Sequence, residues 1–568
     1  MVRGIATYFE KNFSGWKEIR LQGDVVVDGY SLCHELYLYS EADNVHGGDY
    51  VSFSKYLERF LNCLIRNKIK PFIVFDGVDA EQTKKETHAK RRKENAERVL
   101  SLLQGKRAES PGDYYLPYLA RLVMMETVNR ILGEDGYFVA DGDADANIAS
   151  FAIARNCPVL SLDSDFYIFP LLGGYIPYTQ LTWDESGVKA RIYHYKDFAR
   201  QFQLNDPLLL IMLPAILGDS FIQPLDDAVK KLTKQFRTRA VEAVLKYLAR
   251  FTTSDECKSD LARMSQSNPL DNIDMAIKTY YSSVEDIPRT GFTTLKYSGR
   301  QSIPKFIVDR FRKGKISNFL MDAICRGEVD HRIAMEDMAS QWCHLVGLPI
   351  REVTYGIICG RRGRVLEQQR AQGRVDEFQQ IVVISKIPVQ FQSSDIPLFN
   401  DQYVGTAESF GEEIFLAASN CTSEFKKVIL KEQWFFFIVT RYWYTKAEVQ
   451  VNKDKLLKAI ILSMLRNIKS AGGSSPIAQA ASILAPDLTV IHAIAQWQST
   501  YYDLLCLNQL LLEPLPPMGI SQVLECSNVA WFFTRVRKSS GGELIAEMGL
   551  DDSCKKCYRD IYNETKRP

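Results

Sequence analysis

Four short apolar runs in the first 165 residues end in aspartate, and this pattern constrains the fold more than any other feature. DVVVDG (24–29), KPFIVFDG (70–77), YFVADGD (137–143) and CPVLSLDSD (157–165) are rich in β-branched residues and are predicted to form buried parallel strands. Helical patterns lie between them, for example YVSFSKYLERFLNCLIRN (50–67). The alternation predicts a doubly wound α/β domain with a parallel central sheet.

The strand ends predict a cluster of carboxylates. In open α/β sheets, ligands bind at the carboxyl ends of the strands, so aspartates there are expected to share one edge. Strand alternation puts Asp163 and Asp165 on the same side, and a helix is expected to begin near Asp143 and Asp145. Carboxylates a few ångströms apart repel by about 1 kcal/mol in water and by more when buried. The six candidates are Asp28, Asp76, Asp143, Asp145, Asp163 and Asp165.

Divalent Mg²⁺ or Mn²⁺ is the compensating charge that best fits such a set, because all ligands are hard oxygens. A calcium loop is excluded, since DGDADA (141–146) would need glycine and glutamate where Ala146 and Ala152 stand. Helix capping and turn formation remain alternatives for each aspartate taken alone. Two ions about 3.5–4 Å apart suit phosphodiester hydrolysis, so the cluster favours phosphoryl-transfer chemistry.

A basic segment, EQTKKETHAKRRKENAER (81–98), follows the strand that ends at Asp76. In a helix, Lys84, His88 and Arg91 fall on one face. A cleft beside an acidic rim would use such a face to contact phosphate. A solvated surface helix and a nuclear-import patch at 90–93 remain alternatives.

Length and composition limit the number of domains and the classes of protein that the chain can belong to. With 568 residues, two or more domains are expected, and a net charge of +1 gives no global basic field. The densest apolar runs, LLLIMLPAIL (208–217) and WFFFIV (434–439), are shorter than the roughly 20 residues that cross a bilayer, so no membrane association is expected. The 12 cysteines are expected to be reduced and to bind no zinc.

Helical patterns dominate after about residue 221, as in 228–251 and 454–470. The segment SAGGSSP (470–476) is predicted to be a flexible linker. We therefore expect a mainly α-helical C-terminal half.

The aspartate motifs carry a family resemblance. VVVDGYSL, VFDG followed by QTKKETHAKR, GDADA and LDSD resemble, in order and spacing, the XPG/flap-endonuclease superfamily, whose catalytic domain is PIN-like. DGYSLCH, HGGDYVSF, FRKGKISNFLMDAI, LPIREVTYG and QWQSTYYDLLCLNQLLLEPLP are similar to the asteroid family of that superfamily. The resemblance covers nearly the whole chain. It implies a PIN-like nuclease domain over 1–220 with a basic helical arch at about 80–115, a helical extension over 221–300 and an asteroid-type α-helical domain over 301–568.

The resemblance also implies residue roles. The six aspartates would hold two Mg²⁺ ions, for which Mn²⁺ could substitute, and Asp28 and Asp76 would take part in catalysis with Lys84 and Arg91. Lys84 and Arg91 match basic residues that contact the scissile phosphate, and His34 falls where the family stacks an aromatic on a base. A half-buried helix residue is the alternative for His34. The wider nucleic-acid surface is expected to include His88, Arg92, Arg361, Arg362 and Arg364, near Arg370 and Arg374, although this second patch could equally be a solvated loop.

Three departures from the family pattern bear on function. Positions 143 and 145 carry Asp where flap endonucleases use Glu. After Leu217-Gly218, Asp219 stands one residue early and Ser220 occupies the matching position, so Asp219 is left open as a further metal ligand. No glycine occurs between Phe221 and Phe251, so the family's glycine-rich duplex clamp is expected to be absent.

Two hypotheses follow. The first is a Mg²⁺-dependent endonuclease for single-stranded or overhanging DNA, with 3′ overhangs favoured, that acts as a nuclear monomer in DNA repair. The second is a catalytically weak nuclease fold that serves as a DNA-binding or signalling scaffold. Either would leave residues 301–568 free to bind a protein partner.

Overall fold

The structure is a computed structural model. It describes residues 4–78, 85–106, 114–206, 208–219, 222–265, 269–282, 296–297, 301–360, 363–374, 377–391, 397–469, 485–536 and 541–567. The described residues form two compact units, each assembled from separated stretches of chain. The first unit comprises Met1–Glu35, Glu58–Thr87 and Ile131–Thr293, and the second Leu36–Leu57, His88–Arg130 and Thr294–Pro568.

The strands and helices are numbered along the chain. The strands are β1 (Lys17–Arg20), β2 (Gly23–Asp28), β3 (Ile69–Phe75), β4 (Tyr137–Val139), β5 (Val159–Ser161), β6 (Tyr175–Pro177), β7 (Leu181–Asp184), β8 (Gly187–Ile192), β9 (Lys296–Tyr297), β10 (Gln301–Ser302), β11 (Glu328–Asp330), β12 (Arg364–Arg370) and β13 (Phe378–Ile384). The helices up to residue 277 are α1 (Ile5–Asn12), α2 (Gly29–Tyr39), α3 (Tyr50–Arg66), α4 (Lys85–Leu103), α5 (Ala120–Leu132), α6 (Asp145–Arg155), α7 (Tyr195–Gln201), α8 (Leu208–Leu217), α9 (Asp226–Phe236), α10 (Ala240–Leu248), α11 (Ser254–Met264) and α12 (Pro269–Ile277). The later helices are α13 (Lys305–Arg312), α14 (Asn318–Arg326), α15 (Leu348–Cys359), α16 (Tyr403–Ala418), α17 (Trp434–Lys446), α18 (Lys453–Lys469), α19 (Leu488–Leu510), α20 (Ile520–Val523), α21 (Cys526–Arg535), α22 (Gly541–Glu547) and α23 (Asp552–Lys566).

The first unit is built on a five-stranded sheet in the order β4-β3-β2-β5-β6, and all four strand pairings are parallel. Val25, Val26 and Val27 of the central strand β2 are completely buried, as expected for a strand that is covered on both faces. The predicted α/β class, the four parallel strands and the helix over 50–67 are therefore confirmed, although β3, β4 and β5 end at Phe75, Val139 and Ser161, before the aspartates that follow them.

The apolar run 208–217 becomes α8, and every residue from Leu209 to Leu217 is buried in the core of the first unit. The run 434–439 lies within α17, where Phe435 to Val439 are buried. Among the described residues, no helix is both long and apolar enough to span a membrane. The two densest apolar runs are thus core helices.

The segment 228–251, predicted as one helix, is two. Helix α9 ends at Phe236, Arg237 adopts a left-handed conformation with φ 52°, and α10 begins at Ala240. A segment without glycine is expected to lack a tight turn with a positive φ. This expectation is wrong here, because Arg237 takes the positive φ at a strain cost of roughly 1 kcal/mol. The two helices form a hairpin in which Arg237 and Arg239 flank the turn.

The second unit is mainly helical, as expected, but it also contains a three-stranded sheet that the helical patterns did not predict. Its order is β11-β12-β13, with β11 parallel and β13 antiparallel to β12. Helix α4 buries Ala96 and Val99 in a small apolar cluster with Tyr115 and Ile333. That half of α4 is therefore a packed helix rather than a solvated one.

Two carboxylates in the second unit cap each other's helices. Asp49, just before α3, accepts hydrogen bonds from the backbone N–H of Ser527 (3.0 Å) and its hydroxyl (2.5 Å) in the first turn of α21. Glu525, just before α21, accepts from the backbone N–H of Ser52 (2.6 Å) and its hydroxyl (2.7 Å) in the first turn of α3. Each pair satisfies donors that a helix start leaves unbonded, so the two helix starts are held together.

A buried arginine ties three elements of the second unit together. Arg351 on α15, 1% exposed, donates to Glu367 of β12 through Nε (2.7 Å) and Nη2 (3.0 Å), and to Asp503 of α19 through Nη1 (2.8 Å). The charges therefore compensate one another in a region that excludes water.

We expect Arg351→Ala to lower the free energy of unfolding by about 3–5 kcal/mol, because it leaves two buried carboxylates without their cation. Arg374→Ala, which removes an exposed ion pair with Glu377 (3.1 Å), is the matched control and should cost less than about 1 kcal/mol. Urea unfolding followed by tryptophan fluorescence measures both. Equal losses in the two variants would contradict this account.

Candidate metal centre

Asp28 is the last residue of β2, and two serines fix its carboxylate. The backbone N–H of Ser31 donates to Oδ1 (3.1 Å), and the Ser161 hydroxyl donates to Oδ2 (2.7 Å). The Ser161 hydroxyl also accepts from the N–H of Asp163 (2.9 Å), and the Ser31 hydroxyl accepts from the N–H of Leu162 (2.7 Å). Sequence reasoning missed both serines, although Asp28-x-x-Ser31 is a recognisable turn pattern.

Asp76 and Asp143 organise the connection between β4 and α6. Asp76, directly after β3, accepts from the backbone N–H of Ala144 (2.9 Å), and Asp143 accepts from the N–H of Asp145 (3.1 Å). Helix α6 begins at Asp145, as the sequence predicted. The turn-forming alternative is therefore correct for the hydrogen bond of Asp143, and Asp76 holds the amide of the residue before α6.

Asp163 and Asp165 do not lie on a strand. Strand β5 ends at Ser161, and a 3₁₀ turn over Ser164–Tyr167 follows, capped by Asp163, whose Oδ1 accepts from the N–H of Asp165 (3.0 Å). The strand-alternation argument for these two residues was wrong. A capped turn, rather than strand alternation, sets the directions of their side chains.

Three of the predicted ligands converge. One carboxylate oxygen each from Asp145, Asp163 and Asp165 lies within 4.8 Å of the others. Burial, and then the charge of Asp143, raises the pKa of Asp145 well above its usual value. A divalent cation that prefers oxygen ligands fits this set of donors, because its charge would turn mutual repulsion into attraction.

The rest of the edge shows the same repulsion. Burial, and then the charge of Asp76, raises the pKa of Asp28 to about 7. Burial, and then the charge of Asp163, raises the pKa of Asp165 to about 7. Each shift reports a carboxylate that is costly to ionise without a nearby cation.

Asp219, the residue left open by the sequence, is close enough to this group for its charge to contribute to the raised pKa of Asp165. Its Oδ1 accepts from the N–H of Ile222 (2.7 Å), and its Oδ2 accepts from the Tyr280 hydroxyl (2.7 Å). The matching family position, Ser220, lies outside the described residues. Sequence reasoning missed Tyr280, which stands 61 residues further on with no motif around it.

The residues predicted to bind nucleic acid differ in their exposure and in whether the structure describes them. His34 is half-buried on α2 of the first unit, and His88 is half-buried on α4. Lys84, Arg361 and Arg362 lie outside the described residues. Arg364, at the start of β12, is exposed.

Two neighbouring arginines of α4 differ sharply. Arg91 is exposed and forms no ion pair with any described residue. Arg92 pairs with Asp330 (2.5 Å) and lies over the ring of Phe378, 5.2 Å from its centroid. Arg92 therefore fastens α4 within the second unit, whereas Arg91 presents its charge to solvent.

Arg370 does not belong to a surface patch. It is 3% exposed, and its guanidinium donates to Glu336 (3.1 Å) and to the carbonyl of Met338 (2.7 Å). Its expected place beside the exposed arginines was wrong. Arg374 is exposed, in its pair with Glu377.

Comparison with known proteins agrees with this geometry. Residues 14–98 match the XPG N-terminal domain, and residues 478–567 match the Asteroid N-terminal domain. The first match contains Asp28 and Asp76 with their strands, so this part of the acidic edge lies in a segment that is similar to the XPG N-terminal domain. The predicted resemblance to the asteroid family of the XPG/flap-endonuclease superfamily is therefore confirmed.

Curated relatives extend over the whole chain. The single-strand DNA endonuclease ASTE1 of Mus musculus is 25% identical over 625 residues, spanning 100% of this chain and 90% of the relative. The Danio rerio protein of the same name is 25% identical, spanning 99% and 85%. Protein asteroid of Drosophila melanogaster is 30% identical over 186 residues, 32% of this chain and 20% of that protein.

Among solved structures, the catalytic core of Rad2 in complex with DNA substrate matches 49% of this chain and 95% of its own, at 17% identity with a TM-score of 0.29. The fold assignment therefore stands on the sheet topology and the matched XPG domain.

The raised pKa of Asp28 predicts how pH affects the metal-free protein. In the folded state the carboxyl keeps its proton up to pH about 7, whereas the unfolded chain releases it near the ordinary aspartate pKa of 3.8. The folded state thus binds more protons, and its stability falls as pH rises between these values. We expect the stability of the wild type relative to Asp28→Asn to fall by about 2–4 kcal/mol between pH 4 and 7, measured by urea unfolding in EDTA. A pH-independent difference would contradict the raised pKa.

Proposed function

We propose that this chain is a Mg²⁺-dependent endonuclease that hydrolyses phosphodiester bonds in single-stranded or overhanging DNA by a two-metal mechanism. The observation that carries the proposal is the convergence of Asp145, Asp163 and Asp165 at the edge of an XPG-type sheet. Full-length similarity to proteins named single-strand DNA endonuclease supports the substrate class.

In this proposal, the aspartates hold the ions, and the serines keep Asp28 aimed at them. Bound Mg²⁺ would supply positive charge to the scissile phosphate and lower the pKa of a water molecule. Ser31 and Ser161 contribute by fixing both oxygens of Asp28, so that this ligand needs no reorganisation when the ions bind. Asp143 and Asp145, one methylene shorter than glutamate, would draw the ions closer to the backbone at the start of α6.

The basic helix α4 would contact the DNA backbone. Arg91 supports this role through its exposure, and Lys84 enters through its match to the family. Single-stranded DNA binding combines cationic grooves with stacking side chains, and His34 is the candidate for stacking. The preference for 3′ overhangs, the nuclear location and the role in DNA repair are proposed from the resemblance.

The direct test is cleavage of labelled single-stranded, 3′-overhang and 5′-flap DNA side by side, with Mg²⁺ or with EDTA. We expect Mg²⁺-dependent cleavage of the first two substrates and a loss of at least about 100-fold in Asp28→Ala, because a ligand and its fixed geometry are removed together. Asp184→Ala is the matched control, since Asp184 is the exposed last residue of β7 in the same unit and accepts a hydrogen bond from Ser186.

Other outcomes discriminate between hypotheses. Cleavage by Asp28→Ala at the wild-type rate would overturn the proposed site. Wild-type protein that binds labelled DNA but neither cleaves it nor takes up Mn²⁺ in calorimetry would favour the scaffold hypothesis instead.

The arginine pair on α4 gives a separate prediction. We expect Arg91→Ala to reduce cleavage by about tenfold, with a weaker salt dependence of DNA binding, because it removes one phosphate contact. Arg92→Ala should instead lower the thermal stability, since it breaks the contact with Asp330. Fluorescence anisotropy at several salt concentrations and thermal unfolding measure the two effects. The same effect in both variants would refute the assignment.

A further inference from the structure

The loop that carries Asp219 is closed by its own hydrogen bonds. The N–H of Asp219 donates to the carbonyl of Ile222 (2.9 Å), and the N–H of Ile222 returns a bond to Asp219 Oδ1 (2.7 Å). Gly218 precedes it with φ 79°, and a Cβ there would lie 2.8 Å from the backbone nitrogen of Pro224. Because Asp219 Oδ1 is held by the Ile222 amide, Oδ2 is the oxygen that other groups can orient.

Tyr280 provides that orientation from a distant part of the first unit. It lies in a π-helical turn over Lys278–Ser282 that continues α12, it is completely buried, and its hydroxyl donates to Asp219 Oδ2 (2.7 Å). Burial, and then the charges of Asp165 and Asp219, raises the pKa of the Tyr280 hydroxyl, so that it stays a proton donor.

The ring of Tyr280 packs close to the turn that contains Asp163 and Asp165. It packs against Phe169, with ring centroids 5.1 Å apart, and Phe169 closely follows the turn that contains Asp163 and Asp165. The ring of Tyr280 thus packs against Phe169, two residues after that turn, while its hydroxyl bonds to Asp219.

The helix that delivers Tyr280 is fastened to the same loop. Asn272 of α12 donates through Nδ2 to the carbonyl of Ala215 (3.0 Å), near the end of α8, and to that of Gln223 (2.8 Å), beyond Asp219. Ala215 and Gln223 lie on either side of Asp219 in the sequence. Asn272 therefore links α12, the helix that leads to Tyr280, to the segment that carries Asp219.

We infer that Tyr280 is a positioning residue that aims the Asp219 carboxylate at the acidic cluster, and that this makes Asp219 a working ligand although it stands one residue early. The inference rests on the proposed metal-dependent function. It also assigns a role to the segment after residue 269, which carries no catalytic motif in the sequence. Loss of this hydroxyl should weaken metal binding without opening the core, because the ring remains.

The test compares Tyr280→Phe with a matched control, Tyr247→Phe. Tyr247 is also a buried tyrosine of the first unit, and its hydroxyl donates to the carboxylate of Asp260 (2.9 Å), which is not a candidate ligand. Each variant removes one hydroxyl and one hydrogen bond to a carboxylate. Mn²⁺ affinity is measured by titration calorimetry, and the exchange of the Ile222 amide by hydrogen–deuterium exchange in metal-free buffer.

We expect Tyr280→Phe to bind Mn²⁺ about tenfold more weakly and to exchange the Ile222 amide faster, because the Asp219 carboxylate that accepts from it is no longer held. Tyr247→Phe should match the wild type in both measurements. In a cycle with Asp219→Asn, the double variant should bind Mn²⁺ no more weakly than Asp219→Asn alone, since both substitutions remove the same ligand.

Unchanged Mn²⁺ affinity and unchanged Ile222 exchange in Tyr280→Phe would overturn the inference, as would additive losses in the cycle. Wild-type protein that binds Mn²⁺ but cleaves no DNA would contradict the proposed function alone, and the affinity of Tyr280→Phe would still decide the positioning role. If the wild type bound no Mn²⁺, both the proposed function and the role of Tyr280 in metal binding would fail.

Discussion

Repulsion among carboxylates at one edge of a parallel sheet is the constraint on which the metal centre depends. Buried carboxylates elsewhere in the protein can have cationic partners. In the second unit, Arg351 bridges Glu367 and Asp503, and Arg370 meets Glu336, so each of these three carboxylates has a fixed cation. At the sheet edge, backbone N–H groups and hydroxyls orient the carboxylates, while their charges raise one another's pKa. A divalent ion bound at this edge would supply the positive charge that these carboxylates lack.

The sheet could be predicted because its signal is local and redundant. Four β-branched strands with helices between them leave few alternatives, and aspartates at their ends must share an edge. The direction of each side chain could not be predicted, because it depends on turns. Asp163 and Asp165 illustrate this, since a 3₁₀ turn replaced the assumed strand. Contacts between distant residues, such as Tyr280 with Asp219, leave no periodic pattern to detect.

The basic residues were harder to interpret than the acidic ones. Arginine serves equally well as a buried structural cation and as a phosphate contact, and the sequence around Arg91, Arg92 and Arg370 does not distinguish these uses. Burial does distinguish them, since Arg370 is enclosed and Arg91 is exposed. Glycine was a similarly incomplete guide, because Arg237 takes the left-handed conformation at the α9–α10 turn. The sequence therefore identifies candidate residues by type, and their burial separates the structural ones from the exposed ones.

The reciprocal caps of Asp49 and Glu525 have a consequence for how the chain matures. Glu525 and the Ser52 amide that it caps are separated by 473 residues, so the cap of α3 cannot form until almost the entire polypeptide has been synthesised. During translation, the segments 36–57 and 88–130 must wait for the last helices before their unit can close. A fragment ending near residue 300 would lack these partners from the start. The second unit can therefore be completed only after its last helices have been made.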